Sequence, residues 1–408
     1  MDFNLSYWHK ECIVLLYEKK KIDTNTYNIV IDFRTRDDLK LFQLFIRTIY
    51  GIRYQDIVND YKSMVIFRNI KSSKRLIEGC YYNLNLNHIP NKRIEPLEDS
   101  YVLGALFEMD EMQVPDNNEL EFLQTHEQLD PNEILVKNPN ENITLPTIGL
   151  QNLKLRVRNV EQANWNEIIS DGQTKIVFDI GMPLHSSITE INNYCQSIKL
   201  DFKKDKPTLI LSHWDLDHFI CLKSFSSQEI QACFSNIICV NQFKSVASKN
   251  VFEQITKALE KNCISCITPH YKTKARNMHQ ICSNNNVSLY IGEQSHNINY
   301  SGISMFVRGC RCSVNFTGDQ KLKLAENTYL QELNKGLQLS HILIAPHHGG
   351  QFGNTINSYP QPCNQVIISV GQNSYGHPVK KMLDFYKQIS DNNTLRTDNI
   401  SVDIEENI

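Results

Sequence analysis

Thr208-Leu209-Ile210-Leu211-Ser212-His213-Trp214-Asp215-Leu216-Asp217-His218 opens on four β-branched or apolar residues and closes on two His and two Asp within seven positions. The opening reads as a short buried strand. All four polar groups are good ligands for a divalent ion. The alternation at 213, 215 and 217 continues a strand period, so these side chains are expected on one side of a tight turn, with His218 following at once. Burying two carboxylates and two imidazoles without a cation is costly, which favours a centre for two metal ions over a polar turn.

Working outward, three later strand ends also release His or Asp into loops. Asn315-Phe316-Thr317-Gly318-Asp319 frees a carboxylate at a glycine turn. Ile342-Leu343-Ile344-Ala345-Pro346-His347-His348-Gly349-Gly350 ends in two His beside glycines that permit close backbone approach. Val366-Ile367-Ile368-Ser369-Val370-Gly371 leads into Asn373-Ser374-Tyr375-Gly376-His377-Pro378. Upstream, Lys175 to Ile180 is a strand that carries Asp179 just before a glycine, where a carboxylate can steady a neighbouring ligand loop or simply cap a turn.

The remaining pattern is coarser. Runs at Cys12 to Tyr17 and Tyr27 to Phe33 suggest a hairpin about Asp23-Thr24-Asn25, and Leu39, Phe42, Phe45, Ile46 and Ile49 share one face of a following helix. From Arg34 to Arg93 twelve Lys/Arg stand against five Asp/Glu with tyrosines interspersed, a surface suited to nucleic acid. From Glu95 to Glu141 thirteen acidic residues face one lysine. Helices are expected near Leu103 to Met112, Glu119 to Leu129, Ile188 to Ile198, Ser245 to Lys261, Arg276 to Ser283 and Val379 to Ile389. Strands are expected at Leu153 to Val160, Asn166 to Ser170 and Cys263 to Thr268. The polar, proline-bearing stretch from Asn138 to Thr147 reads as a linker.

The chain has 408 residues, 41% of them apolar, which is enough for two cores, and its net charge of −3 neither favours nor excludes nucleic acid. No apolar run reaches the eighteen or so residues of a membrane helix, and no secretory signal is evident, so a cytoplasmic protein without a membrane partner is expected. Twelve irregularly spaced cysteines suggest reduced, buried thiols, although Cys263, Cys266, His279 and Cys282 could also be drawn as a zinc knuckle.

Taken in order, Asp179, Ser-His-Trp-Asp-Leu-Asp-His, Thr-Gly-Asp319, Pro-His-His-Gly-Gly and the Tyr-Gly-His-Pro loop resemble the metallo-β-lactamase-fold hydrolases, and within them the hydrolase domain of the ComEC-type competence proteins. The common His-x-His-x-Asp-His motif appears here as His-x-Asp-x-Asp-His, a variant of that branch. The extra carboxylate hardens the site, so Mn²⁺ or Mg²⁺ joins Zn²⁺ as a candidate.

The resemblance implies a metallo-β-lactamase αββα sandwich, an α/β (α+β) fold, over residues 146–408, preceded by a smaller α+β domain, residues 1–145, for a protein partner or nucleic acid. It implies His213 and Asp215 on one metal, Asp217 and His218 on the second, Asp319 between them, and His348 as a further ligand with His347 its rival. His377 would face the substrate, with Asp179, Asn373 and Tyr375 in support, and Asp217, His347 and His377 the catalytic set. The further His that many members supply before the bridging Asp has no convincing motif here, since His270, His279 and His296 stand in plain surroundings. The expected function is a metal-dependent phosphodiesterase, a nuclease cutting DNA or RNA by two-metal hydroxide attack, in a bacterial antiphage-defence setting. The alternative is a small-molecule hydrolase of a lactone, β-lactam, thioester or cyclic nucleotide.

Overall fold

The computed structural model describes residues 11–24, 26–50, 64–71, 76, 80–86, 102–104, 136–137, 143–184, 186–269, 278–293, 298–336, 340–350, 359–360, 363–373 and 376–408. The chain divides into two compact units, Met1–Thr125 with Phe243–Asn250, and His126–Gln242 with Val251–Ile408.

In the first unit, β1 (Glu11–Asp23) and β2 (Thr26–Phe33) form the expected hairpin. Its turn is tied by the Thr24 N–H donating to the Asp23 carboxylate at 2.6 Å. The helix α1 (Arg36–Tyr50) follows, its start held by reciprocal bonds between Thr35 and Asp38. Leu39, Phe42 and Phe45 meet a sheet completed by β3 (Met64–Lys71), β4 (Tyr81–Asn85) and β5 (Val102–Gly104), in the order β4-β1-β2-β3-β5. Residues 102–104 are extended where the sequence suggests the start of a helix. Parallel pairing with β3 satisfies their backbone and outweighs local propensity. The rest of that expected helix, and the one at Glu119 to Leu129, lie outside the described residues.

Residues 243–250 belong to the first unit through specific bonds. The Tyr17 hydroxyl lies 2.6 Å from that of Ser245, and Tyr81 donates to the Lys244 carbonyl. Asp32, fully buried, accepts from the Ala247 N–H at the start of the helix Val246–Ala258, so its charge rests on a helix end.

The second unit is built on two sheets. One has the order β20-β7-β8-β9-β10-β11-β12-β6, running over β6 (Val136–Lys137), β7 (Leu153–Val157), β8 (Asn166–Ser170), β9 (Gln173–Phe178), β10 (Thr208–Ile210), β11 (Asn236–Val240), β12 (Ile264–Ile267) and β20 (Ile404–Asn407). The other runs in chain order through β13 (Met278–Ser283), β14 (Val287–Gly292), β15 (Ile303–Arg308), β16 (Cys312–Phe316), β17 (Ser340–Ile344), β18 (Gln365–Ile368) and β19 (Thr394–Arg396). Inward residues of both, among them Ile168, Phe178, Ile210, Met305, Phe316 and Ile344, form one core.

Helices lie on the outer faces. Ile191, Cys195, Ile198 and Phe202 of α2 (Ile188–Asp205) are buried as it packs on β9 and on α4 (Ser227–Cys233), with α5 (Val246–Ala258) following β11. On the second sheet, α6 (Leu322–Leu333) and α7 (Lys380–Ile389) bury Ala325, Tyr329, Met382 and Tyr386. The arrangement is the expected αββα sandwich, two mixed sheets about one core with helices outside. No described helix is long and apolar enough to cross a membrane.

One sequence expectation is reversed. The pattern from Arg276 to Ser283 predicts a helix, yet Met278–Ser283 is the edge strand β13, antiparallel to β14 with a register shift between Gln280 and Cys282. That irregularity buries Met278 and Ile281 at a three-residue interval, which imitates helical spacing. The zinc knuckle fails with it, because Cys266 lies on β12 of one sheet while His279 and Cys282 lie on β13 of the other. The cysteines are free thiols, most of them buried.

His341 shows what the second core demands of an ionisable group. Fully buried, it stacks on Tyr329 at 3.7 Å between ring centroids and bonds the Ser313 hydroxyl. Burial pushes its pKa from the usual range down to about 3. The unfolded chain takes up a proton near pH 6.5 that the folded chain refuses, so this contribution to stability is complete above that pH and is lost as pH falls toward 3. Denaturant unfolding should therefore show His341→Phe losing less stability than the parent between about pH 7 and pH 4.5, by about 2 kcal/mol; equal losses would rule the effect out.

Candidate metal centre

Five strands point their C-terminal ends at one place. β9 delivers Asp179, β10 delivers Ser212 and His213, β16 delivers Asp319, β17 delivers His347 and His348, and β18 leads to Asn373 and His377. β9 and β10 are parallel, as are β16, β17 and β18, so their loops open at a common edge.

After Ile210 the chain does not continue as a strand. Asp215 stands in extended backbone just before the short helix α3 (Leu216–Phe219), so Asp217 and His218 project from a helical turn. This differs from the strand-like alternation expected from the sequence. The helical turn lets two consecutive residues, 217 and 218, reach the same centre.

Asp179 organises the loop. Its Oδ1 accepts from the Ser212 N–H at 2.7 Å, and its Oδ2 lies 2.8 Å from both the Ser212 hydroxyl and His218 Nδ1. Asp179 adopts φ 62, an uncommon left-handed conformation for a residue other than glycine, and is fully buried. Its carboxylate can only accept, so His218 Nδ1 carries the hydrogen. The Ser212 hydroxyl donates to Asp179 and lies 2.9 Å from His213 Nδ1, so that nitrogen donates in turn. His348 Nδ1 lies 2.8 Å from the Ser369 carbonyl and is a donor as well.

Each of these imidazoles thus turns Nε2 inward, onto a carboxylate. His213 Nε2 lies 3.4 Å from Asp215 Oδ2, His218 Nε2 3.1 Å from Asp319 Oδ1, and His348 Nε2 3.0 Å from Asp217 Oδ2. Lone pair would face lone pair unless a proton or a metal ion intervenes. His213 Nε2 and Asp215 Oδ1 are buried and make no hydrogen bond. The donor set fits divalent cations on these observations. Two overlapping groups converge closely enough to hold an ion, His213 with His218 and Asp319, and Asp217 with His218 and His348.

His347 and His348 are both brought into the site, on different carboxylates. Both lie in the left-handed region, at φ 51 and φ 54, an arrangement costing about 1–3 kcal/mol per residue. The bend splays the rings: His347 Nδ1 sits 2.5 Å from Asp319 Oδ2, while His348 reaches Asp217. His377 lies 5.0 Å from His347 between ring centroids. Asn373 braces its loop, accepting from the His377 N–H and donating to the His377 carbonyl. Tyr375 lies outside the described residues, as do His270 and His296. His279 is described and pairs with buried Glu293.

Two participants escaped the sequence reading. Asn164 is buried with its amide 3.5 Å from Asp319 Oδ1, and its N–H donates to the Asp217 carbonyl. Gly181 donates to the Asn164 carbonyl, and a Cβ there would lie 1.7 Å from the Asp217 carbonyl oxygen. Neither is a metal-ligand type, and only the glycine two residues after Asp179 gave a signal.

The electrostatics are those of imidazoles and carboxylates that stabilise one another's charges. Burial alone would lower His218, but Asp319, Asp179 and Asp217 raise it well above the ordinary imidazole range. Burial would raise Asp319, yet His218 and His347 hold it well below the usual carboxylate range, and His218 with His348 likewise lower Asp217. Burial, then His347 and His348, press His377 down to about 3.

No family model matches the chain, and no curated protein does. Among solved structures, a point mutant of the CmlA beta-hydroxylase aligns with a TM-score of 0.33 and 12% identity over 72% of this chain and 60% of that one. CmlA itself, a diiron beta-hydroxylase from Streptomyces venezuelae, aligns at 0.32 and 11% over 62% and 54%. The chain thus spans less than two thirds of the length of either; the fold rests on its own sheet order.

Two expectations follow. Loading the centre requires His218 to give up a proton, so metal binding should release about one proton and weaken as pH falls; calorimetry in two buffers of different ionisation enthalpy measures this, and a buffer-independent heat would contradict it. Gly181→Ala should push the Asp217 backbone out of place and destabilise the fold by about 3 kcal/mol, read from its denaturation midpoint; an unchanged midpoint would show that the clasp yields.

Proposed function

We propose that the chain is a metal-dependent phosphodiesterase, and specifically a nuclease acting on DNA or RNA. The observation that carries the metal-dependent part is the set of imidazole Nε2 atoms, from His213, His218 and His348, each tied through Nδ1 and turned onto a carboxylate. The finer assignment is supported by the His-x-Asp-x-Asp-His resemblance to the ComEC-type branch and by the basic, tyrosine-bearing segment between Arg34 and Arg93. The same reading leaves residues 1–145 free to engage a protein partner.

Divalent ions held by His213, Asp215, Asp217, His218, Asp319 and His348 would supply a water activated for attack and would offset charge developing on a phosphoryl group. The residues themselves provide placement. Asp215, Asp217 and Asp319 converge with the more deeply set Asp179, an arrangement that repels an anion until cations balance it. His347 fixes the Oδ2 edge of Asp319, and Asp179 fixes His218 and Ser212, so the inner groups lose little freedom on binding. His377, beside His347 and braced by Asn373, is placed to donate a hydrogen bond to a departing sugar oxygen.

The test is cleavage of labelled single- and double-stranded DNA and RNA by metal-stripped protein, titrated with Mn²⁺, Mg²⁺ and Zn²⁺, beside Asp217→Ala. Metal-dependent cutting reduced about a hundredfold or more in the variant is expected. No cutting with any ion, or full activity of Asp217→Ala, would overturn the reading.

A further inference from the structure

Lys321 stands two residues beyond Asp319, at the start of α6, half-buried, with Nζ 3.6 Å from the centroid of the Tyr300 ring. Tyr300 belongs to a turn that closes against the centre. The Gly302 carbonyl accepts from Gln320 Nε2 at 2.7 Å, and the Ile303 N–H donates to the Ser212 carbonyl at 2.7 Å. A Cβ on Gly302 would lie 3.6 Å from that of His213. The ammonium is therefore carried on the side of the centre that His213 borders.

Among the described residues this ammonium has no carboxylate partner, whereas the next lysines along, Lys323 and Lys335, pair with Glu326 and Glu332. The loop that carries His377 is similar in kind. Directly after the His377 loop, α7 opens on the exposed Lys380 and Lys381, its start tied to the site by the Val379 N–H donating to the Gly349 carbonyl. Cations in the first turn of a helix oppose its dipole. Elsewhere in this unit α2 and α4 begin with complete Ser–Glu capping boxes. Helix stability therefore does not account for these lysines, while a polyanion crossing the carboxylate-lined centre would need them.

We propose that Lys321 is a substrate-binding residue that grips a phosphate flanking the scissile one, with Lys380 and Lys381 continuing the contact at the His377 edge, so that the centre selects a nucleic-acid strand over a small or neutral ester. This rests on the phosphodiesterase reading. The Tyr300 ring face holds the ammonium itself, which positions the charge while its N–H donors serve a phosphate. The contact is with the backbone and carries no base preference.

Lys321→Met removes the charge from the Tyr300 ring face; Lys321→Arg keeps it. Two measurements are made at low salt: KM and kcat with a single-stranded oligonucleotide and with bis(p-nitrophenyl) phosphate, and anisotropy binding of the labelled oligonucleotide, with non-hydrolysable linkages, to the metal-loaded protein. Lys321→Met should raise both KM and Kd for the oligonucleotide about tenfold, with kcat and the small diester within about twofold, and Lys321→Arg should restore both. Replacing Lys380 and Lys381 by Ser should act in the same direction. Unchanged KM and Kd in Lys321→Met, or equal losses in the Met and Arg variants, would overturn the assignment. Oligonucleotide binding that depends on Lys321 without any cleavage would keep the lysine and remove the phosphodiesterase reading; cleavage with binding indifferent to Lys321 would do the reverse.

Discussion

The hydrogen bond from His218 Nδ1 to Asp179 is the constraint from which the centre follows. Because an aspartate can only accept, the bond fixes the tautomer of the ring and sends its other nitrogen inward. The same carboxylate takes the Ser212 hydroxyl, which sets His213 in turn. One buried charge thus decides which way two imidazoles face. Replacing it with a neutral amide would leave the packing intact and the tautomers undecided.

Around that bond the backbone is drawn unusually tight. Gly181 donates to the Asn164 carbonyl, Asn164 donates to the Asp217 carbonyl, and Ile180 donates to the His218 carbonyl. A side chain at 181 has no room. On the other sheet, two left-handed histidines in succession and the glycines after them bring His347 and His377 edge to face. Strain is concentrated where the ligands need directions that ordinary strand and helix ends do not supply.

The sequence disclosed the ligand types and the strands that carry them, because buried apolar runs ending in His or Asp are rare in packing alone. The sandwich itself was implied by a resemblance, and the two sheets packed about one core bear the sandwich out. Direction was less legible. The period through 213, 215 and 217 suggests a continued strand, whereas a single helical turn brings 217 and 218 together. β13 passes for a helix in the sequence since a register irregularity spaces its buried residues by three. Asn164 was invisible because its contribution is one of position, set by a contact far along the chain. Which imidazole nitrogen faces inward is decided by groups distant in sequence, and no local pattern records it.

The return of residues 243–250 to the first unit has a consequence for synthesis. A chain made from its N-terminus at about 5–20 residues per second needs on the order of ten seconds to extend from residue 125 to residue 250. During that interval Asp32 has no helix end to receive its charge, and Tyr17 and Tyr81 have no partners in Ser245 and Lys244. Until then the first unit lacks those bonds and the core contact of Val246, in a segment that the ribosome delivers only after part of the sandwich has been made.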